Sequence, residues 1–180
     1  MDCIIRPARL EDAAALAAIY APYVLETAVT FEYEPPDAAA FRRRMEAIQG
    51  RYPYLVAEQA GEVLGYAYAA PFHDRAAFAW VAEPSIYLRR DAREQGLGSA
   101  LYARLEELLR SQGIVSLCAL IADAPEEDAY ITHTSLRFHA RQGYTELGRY
   151  PRCGYKFGRW YDLVWMEKAL ASRAAASSAL

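Results

Sequence analysis

The chain has 180 residues, 54% of them apolar and 24% charged, and 20 basic against 23 acidic side chains give a formal charge of -3. This composition excludes a disordered chain, and the near-balanced charge excludes a general nucleic-acid binder, so any cationic site has to be local. The length suits one domain with a real core rather than two.

Ile4 and Ile5, followed by Pro7, suit a short first strand. Leu16, Ile19, Tyr20, Tyr23 and Val24 fall at helical spacing and predict an amphipathic helix over 12–26. Asp37, after Pro35-Pro36, is the expected N-cap of a second helix, with Phe41, Met45 and Ile48 on its apolar face and Gly50 at its stop. Strands are expected over 54–58 and 63–70, around the hairpin signal Gln59-Ala60-Gly61-Glu62, and a third over 79–88. Leu101, Leu105, Leu108 and Leu109 mark a helix ending near Gly113. A strand over 114–121, a helix over 135–142 closed by Gly143, and strands over 145–149 and 160–166 complete the order β-α-α-β-β-β-α-β-α-β-β. A meander followed by βαβ crossovers implies a mixed α/β (α+β) sheet with helices on both faces, because uniform Rossmann winding would need a helix after nearly every strand. The domain is expected over 1–168, with an Ala/Ser-rich tail over 169–180.

No apolar run approaches the roughly 20 residues of a membrane helix, so no membrane partner is expected. Cys3, Cys118 and Cys153 are odd in number and lack CxxC spacing, and His73, His133 and His139 form no metal motif. These features, with no basic-then-apolar leader, lead us to expect a cytoplasmic protein without structural disulfides or metal.

The most informative stretch is Arg93-Glu94-Gln95-Gly96-Leu97-Gly98-Ser99-Ala100, which follows a predicted strand and opens a predicted helix. Glycines there allow tight turns and close approach, and the unpaired amides of a helix start favour an anion such as a pyrophosphate. A dinucleotide fingerprint would need glycine where Leu101 stands, and no Gly-Lys-Ser/Thr of a Walker A loop is present. From this turn alone, a glycine-rich helix start without a ligand stays open.

Ser85-Ile86-Tyr87-Leu88 with Arg93-x-x-Gly96-x-Gly98-Ser99-Ala100-Leu101 resembles the acetyl-CoA motif of the GNAT N-acetyltransferases, and Phe138-His139-x-x-x-Gly143-Tyr144 resembles the family's second CoA-side motif. Segments 51–58, 65–69, 82–87 and 154–162 are similar to phosphinothricin acetyltransferases. The resemblance spans about residues 3–168 and implies the GNAT fold, a mostly antiparallel mixed sheet. It further implies acetyl-CoA as cosubstrate and direct transfer to the primary amine of a small amino-acid-like substrate in a ternary complex. A homodimer is expected, because many relatives are dimers and residues 150–161 are rich in aromatics.

Site residues follow from the same resemblance. Glu94, Gln95, Gly96, Leu97, Gly98 and Ser99 would offer amides to the pyrophosphate, with Arg93 adding charge. Ile86, Tyr87 and Leu88 would pair with pantetheine, the Leu88 amide polarising the thioester. Glu83 is the expected general base, and His139 the second catalytic group. Thr132 stands where relatives often have Asn, three residues before Ser135, and both are expected along the CoA arm, with His133 and Thr134 also in reach. Phe31, Arg75, Phe78 and Tyr87 match positions lining the substrate pocket. Arg75 is the expected carboxylate partner, since its planar fork can bond both oxygens, and Lys156 is a further candidate for the acidic end of the substrate. His73 and Phe78 replace a lysine and a tyrosine of the better-known relatives. Two other readings stand beside this one: acetylation of a protein N-terminus or lysine, and a non-catalytic acetyl-CoA sensor.

Overall fold

The structure, a computed structural model, describes residues 3–92 and 95–172. Its elements in chain order are β1 (Ile4–Pro7), α1 (Ala13–Glu26), α2 (Ala38–Gln49), β2 (Tyr54–Gln59), β3 (Glu62–Pro71), β4 (Val81–Leu88), α3 (Leu97–Ser111), β5 (Ser116–Asp123), α4 (Thr134–Arg141), β6 (Thr145–Lys156) and β7 (Arg159–Ala169). The strands form one seven-stranded sheet in the order β1-β2-β3-β4-β5-β7-β6. Every pairing is antiparallel except β4 with β5.

Strand alternation builds the two layers. Tyr54, Val56 and Tyr66 point to one face, where they meet Leu16, Tyr20, Val24, Phe41 and Met45 of α1 and α2. Leu55, Ala57, Ala67, Leu117 and Ala119 point to the other, against Leu101, Tyr102, Leu105 and Leu109 of α3. Each of those leucines, wholly removed from water, contributes about 1.5–3 kcal/mol. Asp37 caps α2 as expected, its Oδ1 accepting from the Ala40 amide at 2.7 Å. The β2–β3 turn puts both central residues at positive φ, Ala60 at 52° and Gly61 at 82°, as a two-residue hairpin of this hand requires.

Several boundaries differ from expectation. β4 starts at Val81 rather than 79, after a 3-10 turn over Ala76–Phe78. β5 starts at Ser116 rather than 114, because the Val115 and Ser116 amides both turn to the Trp80 carbonyl. The last two strands run far past the expected 145–149 and 160–166. Pro151 and the glycines at 148 and 154 suggest a break, yet β6 is a sheet edge and absorbs them as register shifts between Glu146 and Gly148 and between Tyr150 and Gly154.

Candidate active site

β4 and β5 are the centre of the site. They pair only at Val81–Ser116 and Ala82–Leu117, and among the described residues no further ladder pair joins them. Beyond that apex the strands diverge, and a cleft of about 630 Å³ opens between Pro84–Leu88 of one and Ala119–Ala122 of the other. β4 keeps its ladder to β3 through Leu88, so its opposite edge carries main-chain groups into the cleft. Gly65 permits this, since a Cβ there would lie 2.3 Å from Leu88 Cδ2 and 3.0 Å from the Tyr87 carbonyl oxygen.

The start of α3 closes one end. Gly96, at φ 76°, caps the helix in the left-handed region, and Gly96, Leu97, Gly98 and Ser99 all line the cleft. Gly98 also has a packing task that was not read in the sequence. A Cβ there would stand 3.1 Å from Phe138 of α4, so its bare Cα lets α3 and α4 close on each other. Gln95 lines a separate shallow hollow beside Arg89 and Asp91 instead of the cleft, while Arg93 and Glu94 lie outside the described residues. Arg90 and Arg141 bring positive charge to the lining, and Arg141 went unnoticed in the sequence. Its signal was its place, two residues after His139 in a helix that faces the glycine turn.

The opposite wall is the β5–α4 loop and α4. Ala129, Tyr130, Ile131, Thr132, Thr134, Ser135 and His139 line it. The expected Thr132 and Ser135 are therefore in place, with Thr132 Oγ1 donating to Thr134 Oγ1 at 2.9 Å. His133 is the exception, since its ring turns away to Asp123, with Nδ1 2.8 Å from Oδ1. His139 is buried, and its Nδ1 lies 2.8 Å from the Ser135 carbonyl oxygen while Nε2 lies 2.9 Å from the Tyr102 hydroxyl. A carbonyl only accepts, so Nδ1 carries the proton and Nε2 accepts from Tyr102. Burial lowers the ring's pKa from 6.5 to about 4, against the raising effect of the Ser135 carbonyl. At neutral pH the ring is uncharged, which removes the imidazolium acid that an unshifted histidine would offer.

Glu83 sits one residue past the last β4–β5 ladder pair, at the apex of the fork and just below the cleft lining. It is part-buried, and that burial raises its carboxyl pKa, as a base working near neutrality needs. Cys118 stands beyond the same apex on β5, buried. Burial first, then the charges of Glu83 and Glu167, push its thiol up to about 11. At the cleft's other end, the Tyr23 hydroxyl donates to the Leu88 carbonyl at 2.6 Å and accepts from the Leu88 amide at 3.3 Å. Tyr23 was read only as helix core, so its role at the end of β4 is new.

The expected substrate residues do not form one group. Tyr87 lines the cleft, edge-on to Tyr20 and Tyr23, and burial holds its hydroxyl well above the usual range. Phe31 lies flat on Gly154, where a Cβ would approach its ring to 2.4 Å. Arg75 and Phe78 sit on the exposed β3–β4 loop, Phe78 against Phe72 and His73. Lys156 is buried, its Nζ donating to the Thr30 carbonyl at 2.8 Å, and burial lowers its pKa while the charge of Glu32 opposes this. Among the described residues no cluster of His, Cys, Asp or Glu could hold a metal.

An anion-accepting helix start, a free strand edge and a raised carboxyl around one cleft suit the binding of an extended thioester and attack by an amine. Comparison with known proteins agrees. The acetyltransferase (GNAT) domain family matches residues 5–165. The chain is 37% identical to a phosphinothricin N-acetyltransferase of Streptomyces viridochromogenes, over 91% of this chain and 86% of that protein. It is 36% identical to an L-methionine sulfoximine/L-methionine sulfone acetyltransferase of Pseudomonas paraeruginosa, over 93% and 94%. A GNAT superfamily phosphinothricin acetyltransferase of Sinorhizobium meliloti, solved in complex with acetyl-CoA, superposes with a TM-score of 0.87 at 33% identity, covering 97% of this chain and 92% of that one. Family match, fold and cleft together establish that the chain belongs to the GNAT acetyltransferases and is an acyltransferase with acetyl-CoA as cosubstrate.

Proposed function

We propose that the chain moves the acetyl group of acetyl-CoA directly to the primary amine of a small amino-acid-like substrate of the phosphinothricin, methionine sulfoximine or methionine sulfone type, within one ternary complex. The observation that carries this reading is the fork itself. Its apex holds a part-buried carboxylate whose pKa is raised, and its open arms bring the β4 edge and the start of α3 to one cleft.

In this reading the amides of 96–99 hold the pyrophosphate, helped by the helix dipole and by Arg90 and Arg141. The edge of Ile86–Leu88 holds the pantetheine arm, beside Thr132 and Ser135. Glu83 takes the proton of the amine, directly or through one water. The Leu88 N–H, which donates to Tyr23 Oη at 3.3 Å, would exchange that partner for the thioester oxygen as it gains charge, while Tyr23 keeps its bond to the Leu88 carbonyl. Tyr102, its hydroxyl donating to His139 Nε2, orders the foot of the α4 wall, and the CoA thiolate leaves as the anion or takes a proton from water. Phe31 and Tyr87 shape the amine pocket, and Arg75 with Phe78 would act from the exposed β3–β4 loop. We also assign the protein to the cytoplasm, supported by three free cysteines, and to a homodimer, supported by the exposed Tyr150, Tyr155 and Trp160 on the β6–β7 hairpin.

Release of CoA thiol from acetyl-CoA against a panel of amines tests the reading. The panel holds phosphinothricin, methionine sulfoximine, methionine sulfone, ordinary amino acids, a polyamine and an N-terminal peptide. Turnover is expected with the phosphorus and sulfur analogues. Turnover with the peptide alone would overturn the pocket assignment.

A further inference from the structure

The β5–α4 loop is fastened by charge. Asp123 and Asp162 face each other across the β5–β7 ladder, and both are buried. One nitrogen of Arg149 bridges them, 2.7 Å from Asp123 Oδ2 and 2.9 Å from Asp162 Oδ2. The second oxygen of Asp162 accepts from the Arg152 amide at 2.9 Å. That leaves Asp123 Oδ1, and its donor is His133 Nδ1 at 2.8 Å. The His133 amide in turn donates to Glu127 Oε1 at 2.9 Å, and Arg137 pairs with the same carboxylate at 3.1 Å. His133 is thus held through its ring and its backbone, between Thr132 and Thr134, which both line the cleft. Neither Asp123 nor His133 lines it.

We infer that Asp123 and His133 are positioning residues for acetyl-CoA: their contact sets the turn over 132–135 that forms one wall of the cosubstrate's cleft. The inference rests on the cleft being the acetyl-CoA site. A buried carboxylate oxygen that loses its donor is costly, so the network drives the turn into one place. The wall is then ordered before the ligand arrives, which spares the ordering cost on binding.

The experiment is steady-state kinetics and direct acetyl-CoA titration of the full chain, with the thermal midpoint read in parallel. His133→Ala should raise the KM and Kd for acetyl-CoA about tenfold, the scale of one charge-assisted hydrogen bond, with kcat at saturation within about twofold. His133→Asn, whose amide nitrogen can stand where Nδ1 stood, should restore most of the loss. Asp123→Asn should resemble His133→Ala. An unchanged KM and Kd in His133→Ala, or a loss confined to kcat, would overturn the inference, as would a loss that His133→Asn fails to recover. Gly98→Val separates this from failure of the cleft reading. If Gly98→Val weakens binding and His133→Ala does not, only the positioning role falls; if the wild type binds acetyl-CoA and neither variant weakens it, both fall.

Discussion

The two walls of the cleft are made of different material. On the β4 and α3 side the groups proposed to bind are main chain, a strand edge and a helix start, and glycines around them let backbones approach. On the β5 and α4 side the wall is a loop and a short helix held by side chains: Asp123, His133 and Arg149 behind it, Tyr102 and His139 at its foot. A wall of backbone tolerates replacement of its side chains as long as the chain can still bend and close. A wall of side chains fails at single atoms.

That contrast is sharpest where the first wall does depend on a side chain. Glu83→Gln should lower kcat about a hundredfold or more with the KM for acetyl-CoA little changed, the usual scale for loss of a general base, read by thiol release. An unaltered kcat would remove Glu83 from the chemistry. With Glu83 present, kcat/KM for the amine should rise with pH through a carboxyl pKa above the ordinary value, since only the ionised form accepts the proton. Next comes the closeness of the two walls. Gly98→Val forces a branched side chain against Phe138 and Ile86, and should cost about 1–3 kcal/mol of stability together with acetyl-CoA affinity, checked by urea unfolding and titration.

The second wall should show itself in acid. Unfolded, the His139 ring gains its proton near pH 6.5; folded, near pH 4. Between those values the unfolded chain binds more protons. The stability tied to the neutral ring is therefore whole above about pH 6.5 and is lost as pH falls toward 4, on the order of 3 kcal/mol. Urea midpoints measured from pH 7.5 to 4 should fall more steeply in the wild type than in His139→Gln, and parallel curves would contradict the buried neutral ring. The smallest effect tests the backbone wall directly. Ser99→Ala should leave the KM for acetyl-CoA within about twofold, because its hydroxyl accepts from Gln142 while its amide remains.

The same division explains what the sequence disclosed. The backbone wall was legible because glycines, strand alternation and the start of a leucine-striped helix are local patterns. The order of elements and the capping role of Asp37 were legible for the same reason. The long β6–β7 hairpin was not, since Pro151 and two glycines look like an ending until an edge position makes them harmless. In the second wall, 132, 135 and 139 were placed at the cleft by the family resemblance, while the burial that keeps His139 neutral, and its partner Tyr102, 37 positions away, are not visible in the local sequence. The pairing of His133 with Asp123, and of Asp123 with Arg149, depends on β5, β6 and β7 coming together, which no local window shows. Arg75 was legible as a residue type that suits a carboxylate, while its place on the exposed β3–β4 loop, just before a 3-10 turn, is what the structure adds.

The fork has a consequence for how the molecule opens. Its hydrogen-bond ladder divides the sheet into β1-β2-β3-β4 and β5-β7-β6, sewn together by two residue pairs, while the core beneath α3 runs unbroken from one part to the other. Such a molecule has two cooperative units that share one floor, and amides along the seam at 83–88 should exchange with solvent sooner than those at the centre of either unit. A ligand that bonds the edge of β4 and packs on β5 takes the place of the missing ladder. In the proposed binding mode acetyl-CoA would serve as a removable eighth strand, and its binding should slow exchange along the seam.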